Sequence, residues 1–75
     1  MSEQQTETGV MVHVRFAPNG QVTEIGERPV ALSAQDWFNH LSQHAGSGYQ
    51  VLSGGRGIFR LSRDALESLR GGFVH

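Results

Sequence analysis

From Val10 to Phe16 apolar and polar side chains alternate without a break. Val10, Val12, Val14 and Phe16 fall on one side of an extended chain and Met11, His13 and Arg15 on the other, the period-two signature of a half-buried strand. Ala17-Pro18-Asn19-Gly20 follows and reads as a turn, because proline presets φ, asparagine tolerates the bridge region and glycine accepts the left-handed conformation. A second strand is predicted from about Gln21 to Gly26, antiparallel to the first. Plain alternation places Val22 beside Phe16 in the core and sends Thr23 and Ile25 to the opposite face. It also turns Glu24 inward opposite Val14. A carboxylate aimed at a core is a conflict, so the strand must be bulged there or fray near a sheet edge.

The pattern then changes period. After a connection from Gly26 to Pro29, Val30 to Leu32 leads into Ser33-Ala34-Gln35-Asp36, a serine with an acid three residues on, which marks a helix start. A helix is predicted from about Ala34 to Ala45, with Ala34, Trp37, Phe38, Leu41 and Ala45 along one stripe and Gly46-Ser47-Gly48 ending it. Tyr49 to Leu52 and Ile58 to Leu61 are predicted strands of a hairpin around Ser53-Gly54-Gly55-Arg56-Gly57. A five-residue loop pairs Leu52 with Ile58 and sorts Tyr49, Val51, Phe59 and Leu61 onto one face and Gln50, Leu52, Ile58 and Arg60 onto the other. A four-residue loop would drive Gln50 into the core without a partner, at a cost of about 1 to 3 kcal/mol. Leu61-Ser62 repeats the Leu32-Ser33 signal, and a short second helix is predicted from Arg63 to Arg70, with Asp64 in its first turn and Gly71-Gly72 as its stop.

Laid end to end the order is ββαββα. It predicts an α+β domain with one four-stranded, mainly antiparallel sheet and both helices on the same face. The recurrence of Leu-Ser before each helix raises the idea of a duplicated ββα unit. Residues 1–9 are polar and are expected to be a disordered tail, 10–72 to be the domain, and 73–75 a short C-terminal tail.

Length and composition narrow the function classes. The chain has 75 residues, and a folding unit of about 65 residues buries roughly 60% of the surface its unfolded chain exposes. A core that thin is a poor host for a catalytic cleft with buried polar groups, so a noncatalytic protein is expected. The absence of cysteine excludes disulfide scaffolds, thiolate nucleophiles and sulfur-ligated zinc. The longest apolar stretches, Val10 to Val12 and Pro29 to Leu32, are too short for a signal peptide or membrane span, so a cytoplasmic protein without membrane contact is expected. Six arginines face seven acids, for a net charge of -1. With Glu3 and Glu7 of the tail set aside, the balance is too small to steer a polyanion by overall field.

Function is therefore sought on local surfaces. The uncovered side of the sheet is predicted to display Met11, His13, Arg15, Thr23, Ile25, Gln50, Leu52, Ile58 and Arg60, a mixture of aliphatic and basic groups without acids. A cluster of exposed aliphatics marks a surface that a partner or a second copy covers. Against this, β-branched residues suit strands whether or not a partner binds. Arg56 in its glycine-rich loop is a second candidate, since glycines let a backbone approach an anion and arginine donates bidentately. Phosphate loops, however, run from a strand into a helix and this one joins two strands. His40 and His44 have the spacing of a two-imidazole metal site, for which Asp36, His13 or His75 would have to supply further ligands. Two surface histidines explain the same spacing.

No nucleophile motif or paired acid is present, and Ser33 and Ser62 read as helix caps. The leading expectation is a noncatalytic protein-interaction or regulatory domain, without a cofactor, acting through Met11, His13, Arg15, Ile25, Leu52, Arg56, Ile58 and Arg60 on a protein partner or by self-association. The second is a nucleic-acid-binding module using Arg15, Arg56 and Arg60. A base-stacking platform needs exposed aromatics, and Tyr49 and Phe59 are predicted to point inward. The third is a metal-binding protein using His40 and His44.

Overall fold

The computed structural model describes residues 9–73. The N-terminal tail expected over 1–9 lies outside these residues except for Gly9, and of the C-terminal tail only Phe73 lies within them. The elements are β1 (Gly9–Phe16), β2 (Val22–Ile25), α1 (Ala34–Ala45), a 3-10 turn (Gly46–Gly48), β3 (Tyr49–Leu52), β4 (Arg56–Ser62) and α2 (Arg63–Gly71). They form an α+β domain with one antiparallel sheet in the order β2-β1-β4-β3.

The expected ββαββα order and four-stranded sheet are present, with both helices on one face. Val12, Val14, Val22, Trp37, Leu41, Phe59 and Leu66 form a single buried cluster, which brings inward positions of β1, β2 and β4 together with both helices. Phe38 binds this layer together by edge-on contacts with the rings of Phe16, Tyr49 and Phe59, centroids 5.5 to 5.7 Å apart. Both helices begin where the serines predict. Ser33 accepts the Asp36 N–H at 3.1 Å and Ser62 accepts the Ala65 N–H at 3.0 Å, so each cap satisfies one of the unpaired first-turn donors.

The central pair of strands is the first strand of one ββα unit and the second strand of the other. Equivalent strands of a duplicated unit would occupy equivalent places, and here they do not. The Leu-Ser echo is accounted for by two helices that each need a cap after an apolar residue.

The β3–β4 register differs from the expected one. Leu52 pairs with Arg56, so the loop is Ser53-Gly54-Gly55 and β4 begins two residues earlier than predicted. Gly54 and Gly55 both have positive φ, 78° and 73°, which side-chain-bearing residues rarely adopt and which tightens the turn. The shift is by two residues, and strand side chains alternate with period two, so each residue keeps its face, but Val51, expected in the core with Tyr49 and Phe59, is 72% exposed on this edge strand.

In the first hairpin, Phe16 pairs with Val22 but Arg15 pairs with Glu24 and Val14 with Ile25. Thr23 is therefore the extra residue of a bulge, its hydroxyl donating to the Arg15 carbonyl at 3.1 Å. The bulge resolves the conflict at Glu24 by reversing parity beyond it. Glu24 turns outward, and Ile25 packs against the core cluster rather than joining the open face.

The connection from β2 to α1 is fastened at two carbonyls. Trp37, fully buried, donates its indole N–H to Gly26 at 3.0 Å, and Arg70 of α2 donates from Nε to Glu27 at 2.8 Å. Glu27 itself stands in the left-handed region, φ 61°.

Gly48 enters β3 against the backbone of β4, where a Cβ would overlap the Arg60 carbonyl oxygen, whereas a Cβ on Gly46 would meet open space. Gly48→Ala is expected to lower unfolding free energy by at least about 2 kcal/mol, since backbone rather than a mobile side chain must yield. Gly46→Ala, at a residue with helical φ and ψ, is expected to be neutral or stabilising by up to about 1 kcal/mol. Urea denaturation of the two variants beside the parent chain tests the pair.

Candidate functional site on the open sheet face

The outward side chains follow from the register, in rows running across the strands. One row holds Glu24, Arg15, Arg56 and Leu52, the next His13, Ile58 and Gln50, and the third Met11 and Arg60. No element covers them among the described residues, because both helices pack on the other side.

This layout corrects three expectations. Ile58 does face outward but is only 4% exposed. Its neighbours across and along the strands are the polar residues His13, Gln50, Arg56 and Arg60. Ile25 is on the inner face, for the reason given above. The face also carries an acid, since the bulge delivers Glu24 to it. What remains of the aliphatic patch is Met11, 53% exposed, and the half-buried Leu52. His13, Arg15, Arg56 and Arg60 all lie on the face and are exposed, so its character is basic and polar with a small apolar margin.

Arg56 is not at a loop tip. It is the first residue of β4, directly opposite Arg15 of β1, and its Nε donates to the Ser53 carbonyl at 3.2 Å. The glycine turn before it is committed to the sheet, with the Gly55 carbonyl accepting the Phe16 N–H at 2.8 Å. Arg15 faces Glu24 at 3.6 Å, both side chains largely in solvent, an arrangement worth between 0 and about 1 kcal/mol. Arg60 reaches the Gln50 side-chain oxygen at 3.5 Å.

An open groove of about 450 Å³ lies at one end of this face, lined by residues of β1, β2 and Arg56. Gly26, next to His13 across the strands, lies at its border. Glu24 and Gly26 are the site residues that simple alternation missed. The one signal for them in the sequence was the parity conflict at Glu24, which demanded either a bulge or a frayed strand.

Tyr49 and Phe59 lie on the helix-covered face, with ring centroids 4.8 Å apart, so the open face has no stacking platform among the described residues. No protein-family model matches the chain, and no curated protein or solved structure matches it significantly. No helix of the described residues is long and apolar enough to cross a membrane.

His40 and His44 do come together on α1, ring centroids 4.6 Å apart. His40 is also stacked on Trp37 at 5.9 Å and meets the edge of Phe73 at 5.0 Å. Among the described residues no group of three or more histidine, aspartate or glutamate side chains is placed to hold a metal ion. His13 is across the sheet from α1, and His75 lies outside the described residues.

Desolvation against these rings, and then repulsion from His44, hold His40 below the ordinary imidazole pKa of 6.5. The unfolded chain thus takes up this proton first as pH falls. Stability is expected to be undiminished by this group above about pH 6.5 and to drop as pH goes below it. Denaturation curves between pH 8 and 5 check this, and His40→Gln is expected to flatten the dependence.

Proposed function

We propose that this protein is a noncatalytic protein-interaction or regulatory domain of the cytoplasm that works through the open face of its sheet. The observation that supports this most is a sheet face that no element covers among the described residues, carrying exposed Met11 beside Arg60, and Arg15 beside Arg56. A small apolar margin gives a partner area to bury, and the arginines give it orientation and select for acidic groups. The partner is a second protein or another copy of this chain, and no cofactor enters the reading.

A second reading has its own support: Arg15, Arg56 and Arg60, three of the six arginines, share this face. Three phosphate contacts would make a nucleic-acid module, though without stacked bases. The protein reading ranks first because Tyr49 and Phe59 are inward.

Cross-linking of the tagged protein in its source cell, followed by reconstitution of the cross-linked pair, tests the first reading. Met11→Asp and Arg60→Glu are each expected to weaken the complex at least tenfold, whereas Val30→Asp, at a residue 97% exposed and off the face, leaves it unchanged. The reverse pattern would sink the proposal, and light scattering over a concentration series shows whether the partner is a second copy. If the chain instead binds single strands through these arginines, log affinity should fall against log salt with a slope of about -2.

A further inference from the structure

We propose that the groove at Arg15 and Arg56 is a binding site for a dianionic phosphoryl group, carried by free phosphate or by a small phosphomonoester. The site lies on the face assigned above but can be probed on the isolated chain, so it stands or falls apart from the existence of a protein partner.

Arg15 and Arg56 are directly opposed across the central strand pair. Side chains in that position start from Cβ atoms roughly 5 Å apart, where like charges repel. An oxyanion between two guanidiniums turns this repulsion into two sets of charge-assisted hydrogen bonds. Arg56 is held by its Nε bond to the Ser53 carbonyl, which leaves its two terminal nitrogens without hydrogen-bond partners among the described residues. Arg56 also has no acidic partner among them.

Glu24 supplies one negative charge to a row that holds two positive ones. At 3.6 Å from the Arg15 Nε it stands beyond good hydrogen-bond distance, and both side chains are mostly in solvent. One loosely held carboxylate therefore balances only one of the two guanidinium charges. A phosphoryl dianion matches the pair in charge and displaces Glu24 toward water.

The groove has room for the same ligand. Its volume, about 450 Å³, exceeds what a bare phosphate ion fills and is in the range of small-molecule sites. His13 of β1, Glu24 of β2 and Gly26 just after it line the side away from Arg56, where the alcohol portion of a monoester would lie.

Backbone and arginine Nε resonances should be followed in a low-salt titration of the full chain with inorganic phosphate and, in parallel, with glycerol phosphate. Sodium chloride at equal ionic strength is the control. Saturable shifts at Arg15, Glu24, Gly26 and Arg56 are expected, with a dissociation constant of about 1 mM or tighter. Tighter saturation by the ester identifies a metabolite site, and tighter saturation by phosphate an ion site. Arg15→Gln and Arg56→Gln should each weaken binding about tenfold. Glu24→Gln should tighten it about threefold, a gain that loss of folding would not produce. Shifts that grow linearly, match those of chloride, or persist in both arginine variants would overturn the site.

Discussion

The pairing of β1 with β4 is the interaction on which the rest of the molecule depends. It runs through seven residue pairs, from Gly9 with Ser62 to Arg15 with Arg56, and it joins two hairpins that are otherwise local structures. Closing it draws together segments separated by about 40 residues, a loop-closure cost that the hairpins and helices alone do not incur. On one side of the pair Val12 meets Phe59, and the helices seal that side through Trp37, Leu41 and Leu66. On the other side the same register sets Met11 beside Arg60, His13 beside Ile58 and Arg15 beside Arg56. Core and open face are thus two sides of one set of backbone hydrogen bonds, and a slip of a single residue would exchange them.

Within this frame the bulge at Thr23 does the most to shape the surface. One extra residue reverses the parity of the end of β2, which places Ile25 partly buried against the core and Glu24 where its charge is solvated. The exchange removes a carboxylate from the core and moves an apolar group inward, so both changes favour folding. It also puts the acid next to Arg15 and brings Gly26 to the rim of the groove. The surface chemistry at this end is a consequence of how the edge strand avoids burying a charge.

The centre of the open face shows a related economy. Ile58 lies in a central strand on the uncovered side and is nonetheless only 4% exposed, with long polar side chains at the neighbouring positions. Long polar side chains cover apolar surface with their aliphatic stems while keeping their polar ends in water. A sheet face with several aliphatic positions can therefore be far less apolar than its residue list suggests, and the binding reading accordingly rests more on the arginines than on the aliphatics.

Local signals in the sequence determined the two helices with their serine caps, the four strands and most of the inward-facing layer, Ile25 and Val51 excepted, because caps, turns and period-two alternation are written in neighbouring residues. The same alternation kept Val12, Val14 and Phe59 inside and Arg60 outside even where the predicted hairpin register was two residues off. Tertiary structure alone decided which strands became central, how the parity conflict at Glu24 was resolved, and that Ile58 is shielded while Met11 is not. The first and last of these rest on contacts between segments far apart in the chain, and the second on which face of the hairpin the core covers. That Arg15 stands opposite Arg56, the feature on which the proposed anion site rests, depends on the joining of the two hairpins, and no spacing within either hairpin encodes it.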